Sequence, residues 1–317
     1  MHIDICIPVC KPDEKLIRLL EGLKRQTCRV NKLIIMYTRL SESDRISDDY
    51  ISLAREAANE LVVHDLDVRE FDHGATRARG AEYSNADIII YMTQDAVPYD
   101  ELLIENLIKP FESEMVASAY ARQMPAKDST LAECFTRGFN YPDASVVKSK
   151  ADLDTMGIKA FFCSNVCAAY RMGVYRELGG FVKRTIFNED MIYAHAVLMH
   201  DYSIAYCAEA RVIHTHNYSA MQQLHRNFDL AVSQAMYNEV FDGISSESEG
   251  KKYIKEAYRY FRDKHRGYLI IPFIYGCCFK YLGYLLGKRY RRLPMWMINA
   301  CAMNKGFFRE EKNVRTE

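Results

Sequence analysis

Four short clusters in this 317-residue chain carry side chains able to do chemistry. Asp95 follows the apolar run Ile88 to Tyr91 and precedes Pro98. A carboxylate at the carboxyl end of a buried parallel strand lies where open α/β sheets bind ligands. Its hard oxygen can hold a divalent cation there. Glu189 and Asp190, behind Phe187 and Asn188, open an apolar helical segment. A carboxylate on the floor of a cleft can act as a general base. His214 and His216 flank Thr215 beyond a strand-like run, so both imidazoles can point to the same side. In His73-Gly-Ala-Thr-Arg77, Gly74 permits a tight turn and Thr76 can cap a helix. Arg77 then falls in the first helical turn, which suits phosphate oxygens.

Each cluster also has a plain structural reading. Asp95 can make a turn or cap the helix after Pro98, and Arg77 can sit on a solvated face. Acids at a helix start commonly complement the dipole. A histidine pair can be structural, and imidazole is a poor ligand for Mg²⁺. The order of the clusters along one chain says more than any one of them. A phosphate-binding helix start, a strand-end acid, a second acid and a trailing histidine pair describe a metal-dependent diphosphate site.

The elements that must position these residues alternate strand and helix over the first 120 residues. Ile3 to Val9, Leu33 to Met36, Leu61 to Val63, Ile88 to Met92 and Val116 to Ala121 read as strands, with helical stripes between them. This predicts an α/β fold with a doubly wound, mostly parallel central sheet flanked by helices. From about 125 to 215 the pattern loosens. Ser164 and Asn165 interrupt the apolar stretch Phe161 to Tyr170, which is unusual for a run that is only core. Ser203 to Cys207 and Arg211 to Ile213 read as two short strands. Beyond Tyr218 only helical patterns remain, with a polar linker at Gly243 to Gly250. The expected division is a catalytic domain over 1–220 and a helical C-terminal extension over 221–317.

Lys plus Arg balance Asp plus Glu at 42 each, so no net field recruits nucleic acid. The ten cysteines lack zinc spacing, and no signal-like segment opens the chain. Free thiols in a reducing cytoplasm are the expectation. Tyr268 to Leu286 approaches the roughly 20 residues that span a bilayer, but it contains Lys280 and two glycines. The basic cluster Lys288, Arg289, Arg291 and Arg292 follows it. Peripheral contact with an anionic membrane surface fits this composition better than a span, and a helix packed on the catalytic domain remains the alternative.

The ordered set resembles the family-2, GT-A-type glycosyltransferases, and within them the bacterial rhamnosyltransferases. The pieces are His73-Gly-Ala-Thr-Arg77, Thr93-Gln-Asp-Ala96, Asn188-Glu-Asp190, Val212-Ile-His-Thr-His-Asn-Tyr-Ser219 and the tail Leu282 to Pro294. The resemblance covers most of the chain and implies an inverting, metal-assisted transferase with a nucleotide-sugar donor, dTDP-L-rhamnose above others. The acceptor it implies is a saccharide, lipid-linked in a growing surface polysaccharide. Mn²⁺ or Mg²⁺ would sit on Asp95 with His214, and Gln94 stands where many relatives have another acid. Asp190 falls at the general base, with Glu189 and Asn165 on the acceptor side. Pro8, Val9, Thr38, His73, Arg77, Gln94, Asp95 and Ala96 fall on the donor side. Cys10-Lys11 and Met36-Tyr-Thr38 depart from the family, the latter by lacking its nucleotide-binding acid.

One base suffices for such a transfer, since the diphosphate leaves as an anion, whereas a glycosidase needs an acid and a base. The rival readings are a nucleotidyltransferase and a degenerate, non-catalytic binder. The first wants a Gly-rich loop after the first strand, and Cys6 to Pro12 has no Gly. The second should lack Asp95 or Asp190, and both are present.

Overall fold

The computed structural model describes residues 1–242 and 247–308. Its centre is a sheet of nine strands: β1 (Ile3–Val9), β2 (Val30–Arg39), β3 (Ala58–Asp67), β4 (Ile88–Met92), β5 (Val97–Pro98), β6 (Val116–Met124), β7 (Val146–Lys148), β8 (Cys167–Arg171) and β9 (Ser203–Ile213). The spatial order is β3-β2-β1-β4-β8-β6-β9-β5, with β7 also on β9. The α/β class read from the sequence is the one observed. Its parallel character is concentrated in the first half, where β3, β2, β1 and β4 all run the same way. β4 is buried throughout because helices cover both faces, which explains its unbroken apolar run.

The second half is mixed. β8 enters antiparallel between β4 and β6, pairing Met92 with Cys167 and Ile88 with Arg171. An antiparallel neighbour starts where its partner ends. The loop before β8, with Asn165, therefore meets the carboxyl edge that carries Asp95. β5 pairs antiparallel with the end of β9, Val97 opposite Ile213. That two-residue ladder brings Asp95 and His214, far apart in sequence, to the same place.

Several elements differ from the sequence reading, β9 and β3 among them. Ser203 to Cys207 and Arg211 to Ile213 belong to one strand, β9. Its register against β6 jumps from Ala121–Cys207 to Arg122–Arg211, and the irregularity breaks the apolar pattern. β3 runs over ten residues rather than three; it is the outer strand of the parallel half and half-exposed, so a short apolar core marks a longer element. Of the expected linker, residues 243–246 lie outside the described residues, and a helix runs over Glu247–Asp263.

Two long helices close the molecule, Ala220–Met236 and Ile270–Lys288. They pack closely because glycines face the seam. A Cβ on Gly283 would lie 2.2 Å from the Leu224 carbonyl oxygen, and one on Gly287 would lie 2.3 Å from that of Phe228. Gly276, on the same helix, has nothing within 4 Å of such an atom. Gly283→Ala should therefore lower stability by about 1–3 kcal/mol through overpacking. Gly276→Ala should raise it by roughly 0.5–1 kcal/mol through lost unfolded-state freedom. Thermal unfolding of the two variants checks this, and equal midpoints would show the seam to be looser than described.

Candidate active site

The site lies at the carboxyl edge of the parallel strands, beside the switch point between β1 and β4. Gln94 accepts from the Cys10 backbone N–H at 2.8 Å and donates to the Lys11 carbonyl, tying the ends of β1 and β4 together. Its carboxamide is engaged in that tie, so Asp95 is the one acid of this turn. Ala96 is fully enclosed, and its N–H closes the turn on Thr93. Val9 and Thr38 are buried at the ends of β1 and β2, while Pro8 is half-buried. The hydroxyls of Thr38, Thr76 and Thr93 are buried and have no partner among the described residues. Unsatisfied donors of this kind call for a ligand or water at the same edge.

Asp95, His214 and His216 offer ligand atoms that all lie within 4.8 Å of one another. The Asp95 carboxylate is 3.5 Å from His214 Nε2 and 3.3 Å from His216 Nε2, and the two Nε2 atoms are 2.9 Å apart. Gln123 settles the tautomer of His214. Its Oε1 accepts from the Arg137 guanidinium, which cannot be an acceptor, so the same oxygen takes a hydrogen bond from His214 Nδ1–H at 2.9 Å. That leaves the His214 Nε2 lone pair facing Asp95. Burial, then His216, holds His214 well below its usual pKa and keeps it neutral. One carboxylate and two neutral imidazoles fit a first-row transition-metal ion better than Mg²⁺.

Glu189 and Asp190 begin the helix Glu189–Met199, behind Asn188 in the left-handed conformation at φ 64°. Asn is among the residues that accept this most readily. Glu189 is buried, and burial alone would raise its pKa. Arg77 at 3.1 Å, His73 and the Asn165 carboxamide at 3.0 Å outweigh burial and hold it ionised. Asp190 accepts from the Asn165 and Met191 backbone N–H groups, both at 2.8 Å. Those bonds do not offset burial and the charge of Glu189, and its pKa is pushed up to about 7. Asn165 is itself fixed by the Tyr170 hydroxyl at 2.8 Å.

The structure therefore brings Asp190, Asn165, Glu189, Arg77, Asp95 and His214 to one edge, and it changes what two of the expected donor residues do. Arg77 is not on a surface open to phosphate. It is buried, its guanidinium is neutralised by Glu189, and Asp72 rather than Thr76 caps its helix, His73–Glu82. His73 lies against Phe71 and Phe187, and burial drives its pKa down to about 4. A cleft of ≈ 450 Å³ opens between Asp190 and the histidines, and its far wall includes Arg226, Gly276 and Lys280 from the C-terminal helices. The division expected near residue 220 thus crosses the cleft. Gln123 and Arg226 had no sequence signal, because the first looks like a strand end and the second like one more polar position on a helix.

The Glycosyl transferase family 2 model matches residues 4–179. The chain is 35% identical over 312 residues to the O-antigen chain rhamnosyltransferase RfbN of Salmonella typhimurium, covering 97% of this chain and 96% of that protein. It belongs to glycosyl transferase family 2. The family-2 match ends before Asp190 and the histidines, but the relatives span both. WbaN of Salmonella anatum, also an O-antigen chain rhamnosyltransferase, is 33% identical over 90% of this chain and 89% of its own length. Among solved structures, the Pyrobaculum calidifontis mannosyltransferase PcManGT, in complex with GDP-Man and Mn²⁺, superposes with a TM-score of 0.54 at 14% identity. It covers 96% of this chain and 86% of its own. S. aureus TarS 1-349 with UDP-GlcNAc gives 0.53 at 11% identity, over 92% of each chain. These establish the GT-A fold in a family-2 glycosyltransferase related to O-antigen rhamnosyltransferases.

The raised carboxyl of Asp190 has a signed consequence for stability. An acid whose folded pKa exceeds its unfolded value near 3.9 weakens the fold as pH rises from about 4 to 7, because the unfolded chain ionises first. The penalty is complete above pH 7 and absent below 4. Asp190→Asn should then be more stable than the native protein at pH 8, by on the order of 1–3 kcal/mol, with a smaller difference at pH 5. Denaturant unfolding at the two pH values measures it; a pH-independent difference would contradict the raised pKa.

Proposed function

We propose that this chain is an inverting rhamnosyltransferase that moves L-rhamnose from dTDP-L-rhamnose onto a saccharide acceptor in cell-surface polysaccharide synthesis. The observation that carries the reading is Asp190, a carboxyl poised near neutral pH in the same cleft as His214 and His216, which converge with Asp95. A base is most useful when its pKa lies near the working pH. The acceptor hydroxyl oxygen bonds to the anomeric carbon as the bond from that carbon to the diphosphate oxygen breaks. The hydroxyl proton passes to Asp190, and attack from the opposite face inverts the centre. Asn165 holds the carboxylate toward the cleft, and burial together with the charge of Glu189 keeps its proton affinity high.

Asp95, His214 and His216 would hold the divalent cation, which when bound neutralises the diphosphate leaving group. Pro8, Val9 and Thr38 lie at the edge where the nucleoside fits. Residues 1–220 form the catalytic domain in this reading, and the extension completes the far wall of the cleft.

The enzyme works in the cytoplasm, resting on the inner face of the membrane beside a lipid-linked acceptor. Gly267–Lys288 is long and apolar enough to cross a bilayer by length and composition. Spanning would draw Lys280 and the polar partner helix, with Gln222, Gln223 and Asn227, into hydrocarbon at about 2.5–3.5 kcal/mol for a central cation. Lying flat avoids this. Tyr268, Ile271, Ile274, Tyr275, Tyr281 and Leu282 are exposed along the outer side, next to exposed Arg289, Arg291 and Arg292.

Nucleotide release across a panel of nucleotide sugars tests the activity. dTDP-rhamnose should be turned over with acceptor, chelation should abolish turnover, and Mn²⁺ should restore it better than Mg²⁺. The rate should rise through about pH 7 and then level as Asp190 ionises. Asp190→Asn should lose about 10²–10⁴ in turnover and keep donor affinity. Release from another nucleotide sugar alone would overturn the donor; an unaffected Asp190→Asn would overturn the base.

Flotation with anionic liposomes tests the membrane reading. Binding at low salt that is lost at high salt is expected. Absence of binding at low salt, or release by detergent only, refutes surface docking.

A further inference from the structure

Arg226 stands in the cleft on the helix Ala220–Met236 with no part assigned to it so far. Its guanidinium carbon lies over the Phe187 ring at 4.7 Å and the Tyr218 ring at 5.7 Å. Tyr218 is stacked on His216, centroids 4.9 Å apart and planes 17° from parallel. A continuous stack of guanidinium, phenol and imidazole therefore leads directly to the Asp95–His214–His216 cluster. Among the described residues Arg226 has neither a hydrogen-bond nor an ion-pair partner.

The other arginines of the site are engaged. Arg77 is paired with Glu189, and Arg137 with Glu133 at 2.7 Å and with Gln123. Ring contacts use the faces of a guanidinium and leave its N–H donors, which lie in its plane, unspent. A half-buried, unpaired cation fixed by two aromatic rings next to a metal-ligand cluster is arranged for an anion with two oxygens to offer.

We propose that Arg226 binds the diphosphate of the nucleotide-sugar donor and holds it as the leaving group departs. The inference deepens the glycosyl-transfer reading and rests on it. As the bond from the anomeric carbon to the diphosphate oxygen breaks, its electron pair stays on that oxygen, and the nucleoside diphosphate gains one negative charge. Arg226 answers that charge with hydrogen bonds and keeps its own proton, since guanidinium does not deprotonate in proteins. It takes the part that the sequence pattern gave to Arg77. Tyr218 and Phe187 hold its plane, so Arg226→Lys, with charge but no fork, should only partly replace it.

Calorimetry with dTDP and dTMP in the presence of Mn²⁺ tests the assignment in the full chain. The native protein should prefer the diphosphate. Arg226→Gln should bind dTDP about 10–100-fold more weakly, a loss typical of a charge-assisted pair, with dTMP affected far less. Arg226→Lys should fall between. Mn²⁺ affinity, read by electron paramagnetic resonance, should stay the same in both variants. Native-like dTDP affinity in Arg226→Gln overturns the proposal. So does a change confined to the acceptor KM, which assigns the residue to an acceptor anion. A parallel loss of Mn²⁺ affinity would reduce Arg226 to a support for His216. If the native protein binds no nucleoside diphosphate of any base, the glycosyl-transfer reading itself fails, and this one with it.

Discussion

Two adjacent carboxylates, Glu189 and Asp190, are drawn into one helix start, and a protein interior does not accept two uncompensated charges. Arg77 and Asn165 answer Glu189, and what remains for Asp190 is two backbone N–H groups. The positive end of the helix dipole favours ionised acids here, but its typical worth of 0.3–1 kcal/mol is small beside the desolvation of a carboxylate. Burial wins, and the carboxyl of Asp190 is raised. Much else follows from satisfying that pair. The helix His73–Glu82 must turn Arg77 inward, and the segment before β8 must lie beneath the acids to present both the amide and the side chain of Asn165.

The sheet delivers these groups through the direction of its strands. Parallel strands put every carboxyl end on one edge, which gathers Pro8, Thr38 and Asp95. Antiparallel joins then bring amino-terminal ends to that edge, which is how Asn165 arrives by β8. The short ladder of β5 on β9 fixes Asp95 against the histidines with two residue pairs, and the His214 N–H to Met124 O bond at 3.0 Å anchors the other side. A wholly parallel sheet could not place the loop before β8 beside the end of β4.

The C-terminal helices complete the cleft from outside the sheet. Close glycine contacts at Gly283 and Gly287 hold Ile270–Lys288 against Ala220–Met236, so Lys280 and Arg226 share one wall. Packing on one side leaves the other side of the same helix apolar and uncovered. The cleft wall and the uncovered apolar side are therefore properties of one helix, linked through its rotation in the seam.

The sequence by itself determined the α/β class, and it marked Asp95, Glu189, Asp190 and His214 as candidates, Asp95 at the carboxyl edge of the parallel strands. Those depend on local signals: an apolar run ended by a carboxylate, acids at a helix start, a His-x-His at a strand end. Tertiary structure decided which charges are spent and which are free. Arg77 looks like a phosphate ligand in its own segment and is a buried counter-ion in the fold, because Glu189 lies over a hundred residues further along the chain. Arg226 looks like solvated helix in its own segment and is, among the described residues, an unpaired cation near the Asp95–His214–His216 cluster, because Phe187 and Tyr218 converge on it. The tautomer of His214, set by Gln123 on β6, was equally out of reach. Pairing between distant residues leaves no local period in the sequence, and at this site pairing assigns the chemistry.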